Sequence, residues 1–410
     1  MKLIGPFKQL LTMSDLPLKG RLCDDQLEIL EDAGVFVEEG IIQRIGSFST
    51  LEEETQDNGY DYDFLKGDYV ALPGMIDAHT HICFAGSRSA DYAMRLAGKS
   101  YLEIAAMGGG IWSTVQKTRS ASNEILLHLL LKRLEVLQSE GITTVEVKSG
   151  YGLNIHDELR LLDIINQANS LFSVDVIPTC LAAHTKPKDF EGTNLQYLEL
   201  LVEKLLPLVK ARNLAKRVDI FVEKSAFTPD ESLFYLKKAS SLGFEITVHA
   251  DQFTTGGSVI ASSEGAYSAD HLEASTQKEI ELLAASNTVA VCLPGASMGL
   301  GISFAPARKL LDAGASVVIA SDWNPGSAPM GDLLMQASVL GAYEHLSLSE
   351  TWAAITSRAA KALNLSDRGE IKIGKLADII AFPVSDYKEI LYRQGKIKPE
   401  HVWKKGEKVR

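Results

Sequence analysis

Between residues 66 and 367 the chain alternates short apolar runs with helical stretches. That alternation limits it to folds built from βαβ units around a parallel sheet. Eight runs read as strands: 70–78 (VALPGMIDA), 142–148 (ITTVEVK), 174–183 (VDVIPTCLAA), 218–223 (VDIFVE), 244–249 (FEITVH), 267–271 (YSADH), 288–293 (TVAVCL) and 316–321 (SVVIAS). Eight is the number at which such a sheet closes into a (β/α)8 TIM barrel, which takes roughly 250 residues. The stretches between them carry the period of a helix. In 157–170, Leu161, Leu162, Ile165 and Ala168 share one face while Arg160, Asp163 and Gln167 share the other. The helix 123–140 is so leucine-rich that it must be largely covered.

The two ends of the chain have a different texture. Residues 1–65 mix short apolar stretches with turn signals such as Ala33-Gly34 and Gly40, and the same pattern returns after Arg368 in GEIKIGKLADIIAF and VWKKGEKV. Termini commonly lie close in space. The expected architecture is therefore an α/β barrel over 66–367 with a small composite β-sandwich domain from 1–65 and 368–410. At 46% hydrophobic residues the chain has apolar material for both cores. The segment 84–122 reads as an elaborated loop after the first strand, on the active-site face. Its Gly108-Gly109-Gly110 run does not follow a strand and lacks the GxxxxGK[ST] arrangement, so it reads as a turn and not as a phosphate cradle.

Several classes are disfavoured. A formal charge of −12 without a dense basic stretch argues against nucleic-acid partners. Cys23, Cys83, Cys180 and Cys292 are scattered without a CxxC pair and read as reduced thiols. No run approaches the ~20 apolar residues of a membrane span, and the first residues lack the apolar core of a secretory signal. The expectation is a cytoplasmic protein without membrane partners, and a homodimer as the commonest assembly.

The histidines carry the functional signal. Of nine, His128, His156, His345 and His401 fall in helices, helix starts or the tail, and His128 inside a helix reads as structural or surface. The other five end strands: His79 and His81 the first, His184 the third, His249 the fifth and His271 the sixth. In a barrel those ends converge on one site. His79-Thr80-His81 follows the period of an extended chain, so both imidazoles leave the same side and can grip one ion. With His249 after FEITV and Asp322 after VVIAS, the set becomes three imidazoles and a carboxylate, suited to Zn2+ or Fe2+. Such an ion would lower the pKa of a water and polarise a carbonyl. Asp322 would accept the water's proton, and His271 is a candidate base or electrophile beside it.

These residues mark a resemblance to the amidohydrolase superfamily of metal-dependent hydrolases. The segment HTHICFAGSRSADYAMRLAGKSYLEIAAMGGGIWSTVQKTR, then EVKSGYGL, the AAH ending at His184, HADQF, SADHLE, LPGAS and SDWNPGSAP follow in the order seen in one branch of it. That branch opens the cyclic amide of 4-imidazolone-5-propanoate to N-formimidoyl-L-glutamate in histidine degradation. The resemblance implies one bound Zn2+ or Fe2+/Fe3+ ion per subunit, held by His79, His81, His249 and Asp322. It implies substrate contacts from Arg88, Tyr151, His184 and Gln252, with Asn324, Gly326 and Ser327 completing the pocket. The planar fork of Arg88 suits a carboxylate bidentately, as a lysine would not. Gln252 stands where related deaminases carry a glutamate that shuttles protons. An amide cannot do so, which moves proton transfer towards Asp322 and His271. Ala182 and Ser327 stand where the branch often has glycine and threonine, affecting only fine pocket shape.

Other readings are a superfamily deaminase, a hydrolase of another small heterocycle, or a non-catalytic binding relative. A binuclear site would need a bridging carbamylated lysine, with Lys224 and Lys148 as candidates. Pairing of Glu223 with Lys224 is the favoured alternative.

Overall fold

In the computed structural model, which describes residues 1–56, 59–99, 103–104 and 107–410, the apolar runs separate into two eight-stranded sheets. The first begins with β1 (Lys2–Leu11), β2 (Ile29–Glu38), β3 (Ile41–Ser47), β4 (Asp61–Phe64) and β5 (Val70–Pro73). The second holds β6 (Met75–Asp77), β7 (Ile142–Lys148), β8 (Asp175–Ala183), β9 (Arg217–Phe221), β10 (Glu245–Ala250), β11 (Ser268–His271), β12 (Val289–Cys292) and β13 (Val317–Ile319). Each of these pairs in parallel with the next. The chain then returns to the first sheet with β14 (Ile379–Phe382), β15 (His401–Lys404) and β16 (Glu407–Lys408). The order there is β16-β15-β14-β5-β1-β2-β3, with β4 beside β1. The two termini thus share one sheet.

Every residue of β7, β11 and β12 is buried. Helices cover the outside of a parallel barrel while side chains fill its inside, which is why these strands read as continuous apolar runs. The helix Ile155–Leu171 buries Leu161, Leu162, Ile165 and Ala168 as its spacing predicts, and Asn154 caps it by accepting from the Asp157 N–H. The helix Asn123–Ser139 buries Leu126, Leu130, Leu134 and Leu137, and His128 on it is exposed.

Two expectations need correction. The run 70–78 is not one barrel strand but two strands broken at Gly74. Val70–Pro73 pairs antiparallel with β14 in the first sheet, and only Met75–Asp77 enters the barrel beside β7. The chain crosses between sheets so tightly that a Cβ on Gly74 would lie 2.3 Å from Thr143 Oγ1. Both halves are buried, so the apolar pattern runs through the break unmarked. The segment 84–122 is likewise not a plain loop, because it contains the helices Ser89–Leu96 and Ile111–Ser120. Helices of two or three turns are too short for a 3.6-residue period to stand out.

At the end where the barrel strands begin, the first sheet is tied on by charge. Asp175, which opens β8, pairs with Arg368 at 2.5 Å and with Lys404 at 2.8 Å, and Lys404 also reaches Asp378 at 2.5 Å. At the opposite end the β13–β6 seam is closed by single bonds from residues just past both strands. The Asp322 N–H donates to the His79 carbonyl and the His81 N–H to the Trp323 carbonyl, each at 3.0 Å. All four cysteines are free thiols. Among the described residues no helix is long and apolar enough to cross a membrane.

Candidate active site

The seam brings the sequence-predicted donors together at the mouth of the barrel. The Nε2 atoms of His79 and His81 stand 3.2 Å apart. His81 Nε2 lies 3.3 Å from His249 Nε2 and 3.3 Å from Asp322 Oδ1. The same carboxylate oxygen is 3.5 Å from His79 Nε2. All four side chains are buried.

The far side of two imidazoles decides what faces inward. His79 Nδ1 is 2.6 Å from Asp270 Oδ2, and His249 Nδ1 is 2.9 Å from Asp219 Oδ2. A carboxylate accepts, so His79 Nδ1 carries the hydrogen and its Nε2 presents a bare lone pair; Asp219, close enough for an ion pair, favours the same tautomer of His249. Burial, and next the charge of Lys148, holds His79 well below the usual imidazole range. Burial does the same for His81, with His184 second, and takes His249 to about 3 against the pull of Asp219. Uncharged lone pairs facing one another at these distances repel unless a cation lies among them. The donor set fits a metal ion, and three imidazole nitrogens with a carboxylate oxygen suit zinc or iron. His271 belongs to the same cluster, since one ligand atom each from His79, His249 and His271 lie within 4.8 Å of one another. Both His271 (φ +93°) and Asp322 (φ +50°) have left-handed backbone, the kind of strain that gathers at functional sites. Burial raises the Asp322 carboxyl above its ordinary pKa. For His271 burial works against the charge, yet Glu273, 3.6 Å from Nδ1, turns the net shift upward.

Behind the imidazoles lies Lys148, the last residue of β7. Its ammonium is 2.7 Å from Glu146, 2.9 Å from Asp219 and 4.0 Å from Asp270. Burial opposes that charge, but Asp219 and Glu146 raise its pKa. Lys148 therefore stays charged and is not the free amine from which a bridging carbamate forms. Lys224 is exposed on the cavity rim. The expected Glu223–Lys224 side-chain pair is corrected. Glu223 instead accepts from the backbone N–H of Lys224 at 2.8 Å and from those of Phe253 and Thr254 at 3.0 Å. It fixes the turn after Gln252.

The mouth is a cavity of about 730 Å3, and Arg88, Tyr151, His184, Gln252, Asn324, Gly326 and Ser327 all line it. Arg88 donates from Nε to Asp91 Oδ2 at 2.9 Å. Asp91 also accepts from the Gly110 N–H at 2.8 Å, so the glycine run, with φ +79° at Gly110, is a turn that helps aim Arg88. His184 Nδ1 is 3.0 Å from the Gly150 carbonyl, which leaves Nε2 as the acceptor facing the cavity, and burial takes its pKa to about 4. Asn324 is committed to its own loop: Oδ1 accepts from Gly326 N at 2.7 Å and Ser327 N at 2.8 Å, while Nδ2 donates to the Asp322 carbonyl at 2.6 Å.

Asp219, Asp270, Lys148 and Glu146 are the functional neighbours that sequence reasoning missed or set aside. A signal was present. Charged residues two apart in ITTVEVK, or flanked by apolar residues as Asp219 is in VDIFVE, have no place in a buried strand unless they are answered from another strand.

A buried constellation of this kind at the C-terminal face of a parallel barrel is the arrangement of the amidohydrolases, and comparison with known proteins agrees. The sequence pattern of the Amidohydrolase family matches residues 106–410, and the chain belongs to that family. It is 40% identical over 391 residues to the imidazolonepropionase of Bdellovibrio bacteriovorus, covering 95% of this chain and 91% of that one. It is 41% identical over 385 residues to the imidazolonepropionase of Deinococcus deserti, covering 94% of each. Within the amidohydrolases the chain is a member of the imidazolonepropionase family, a hydrolase of C–N bonds. The fold is shared more widely. A mutant of the atrazine chlorohydrolase TrzN of Arthrobacter aurescens with zinc and atraton aligns at a TM-score of 0.74 with 16% identity, covering 100% of this chain and 95% of that one. An adenosine deaminase of Xanthomonas campestris with bound zinc aligns at 0.71 with 16% identity, covering 99% and 92%.

Proposed function

We propose that the protein hydrolyses the cyclic amide of 4-imidazolone-5-propanoate to N-formimidoyl-L-glutamate, using one zinc or iron ion per subunit held by His79, His81, His249 and Asp322. The observation that carries this reading is that His81, His249 and Asp322, three of those convergent donors, line one cavity with the Arg88 guanidinium. The names of the 40%-identical relatives support the substrate.

When bound, such an ion supplies a Lewis acid that acidifies water and polarises the amide carbonyl. Arg88 takes the propanoate carboxylate on the guanidinium edge that Asp91 does not use, and Tyr151 donates its hydroxyl to the ring's polar edge. His184 accepts a ring N–H at Nε2, because Gly150 holds the hydrogen on Nδ1. Gln252 binds without carrying a proton. That leaves the proton steps to Asp322 and His271. Asp322, its affinity for protons increased by burial, takes one proton from the attacking water. His271, favoured in its charged form by Glu273, gives one to the departing ring nitrogen. The C–N bond breaks, the water oxygen becomes part of a new carboxylate, and the nitrogen leaves as the formimidoyl amine. The free thiols support a reducing compartment, the cytoplasm.

Zinc- or iron-loaded protein mixed with 4-imidazolone-5-propanoate should consume it and yield N-formimidoyl-L-glutamate, read by mass spectrometry. Absence of turnover, or release of ammonia in its place, would rule the reading out.

A further inference from the structure

The loop that carries Tyr151 is shaped by a residue that does not line the cavity. Glu158, in the helix Ile155–Leu171, is fully buried. Its Oε1 accepts from the N–H of Gly152 and of Leu153, each at 2.8 Å. The Gly150 N–H reaches both carboxylate oxygens, at 3.2 and 3.1 Å. Among the described residues no cation pairs with this carboxyl group; burial raises its pKa, and only the Ser149 hydroxyl and the amides of the turn work in favour of its charge. That turn departs from ordinary backbone, with φ +96° at Gly150 and +51° at Leu153. A Cβ on Gly152 would sit 2.7 Å from the Asp157 carbonyl carbon and the Glu158 nitrogen, and 2.9 Å from Glu158 Oε1. The turn therefore packs directly onto the first turn of the helix and its carboxyl group.

Tyr151 lies between two of the tethered residues. The Gly150 carbonyl, at one edge of the same turn, receives His184 Nδ1. One carboxylate thus sets the position of a hydroxyl and the tautomer of an imidazole, whose rings stand 5.7 Å apart on the cavity wall. His184 in turn stacks on His81, with centroids 5.3 Å apart and planes at 20°.

We propose that Glu158 is a positioning residue for substrate recognition, holding Tyr151 and His184 at a fixed spacing through the 149–153 turn. The inference rests on the function proposed above. A glutamine could not take its place. Three N–H donors converge on two acceptor oxygens, and an amide offers one oxygen and turns an NH2 group towards donors. The loss falls on recognition because none of these groups holds the metal.

The test uses metal-loaded full-length protein: wild type, Glu158→Gln, Tyr151→Phe and the double variant, assayed for kcat, KM and metal content. Glu158→Gln should raise KM about ten-fold or more with metal content unchanged, and the double variant should be no worse than the poorer single. A wild-type KM in Glu158→Gln, multiplying effects in the double variant, or joint loss of metal and kcat would overturn the proposal. If Glu158→Gln does not fold, Glu158→Asp decides, since it keeps both oxygens but draws them back from the turn: the same KM rise with full metal supports it, and an unchanged KM defeats it. Wild-type protein that leaves the compound untouched overturns the functional reading and this inference together. Turnover by wild type with unshifted variants overturns this inference alone.

Discussion

The two ends of the barrel treat buried charge in opposite ways. Where the strands begin, Asp175 has Arg368 and Lys404 within 2.8 Å. Burial works against its charge, but Lys404 and then Arg368 hold its carboxyl below the ordinary range. Where the strands end, Asp322 has imidazoles at 3.3 and 3.5 Å and the Ser327 hydroxyl at 3.5 Å, with no lysine or arginine paired to it among the described residues. Burial keeps those imidazoles neutral and pushes the Asp322 carboxyl up. Lys148 carries its charge behind the site, where it answers Glu146 and Asp219. The lower end is electrostatically complete and ties the terminal sheet to the barrel. The upper end is folded around convergent lone pairs that suit a cation.

Substitutions should separate the two ends. The largest effect is expected from His79→Ala, which removes an inward donor and leaves Asp270 without its partner. Metal and activity should vanish together, measured by elemental analysis and turnover, and full activity in metal-free protein would break the contrast. Arg368→Met should act oppositely. Asp175 keeps Lys404, so the loss of Arg368 costs about 1.5–3 kcal/mol in urea unfolding, while kcat/KM of the folded fraction stays near wild type. Lost activity with unchanged stability would place Arg368 in the wrong class.

A subtler change is Asp219→Asn, which keeps the shape but weakens the acceptor for His249 Nδ1. Metal affinity should fall roughly 10- to 100-fold without loss of fold, as read by chelator competition. Wild-type affinity would mean that Asp219 does not orient its imidazole. The smallest effect concerns pH. The Asp175 pKa is depressed in the folded state, so its contribution is complete above the unfolded value of about 3.9 and is lost as pH falls through the lower folded value. The urea midpoint should drop as pH is lowered below about 4, and less steeply in Lys404→Met. Equal slopes in the two proteins would remove Asp175 from the account.

Much of the mouth was legible in the sequence because its signals are local. Apolar runs ending in histidine mark both the strand and the end that matters, and period-two spacing puts His79 beside His81. What lay beneath was not legible, since it depends on register between strands. Pairing of β10 with β11 sets His249 opposite Asp270, and pairing with β9 sets Thr247 opposite Asp219. No single segment records either fact. The change of sheet at Gly74 was hidden for the converse reason, because burial on both sides erased any polar mark. Glu158 escapes a sequence reading because its role depends on the conformation of a turn, and Glu223 because adjacency suggests the Lys224 side chain when it takes the Lys224 backbone N–H and the amides of Phe253 and Thr254, some thirty residues further on.

The four inward donors at the mouth should complete one cation site. The direct measurement is the metal-to-chain ratio of zinc-reconstituted protein after exhaustive dialysis. One ion per chain is predicted, and a ratio near zero or near two would contradict it.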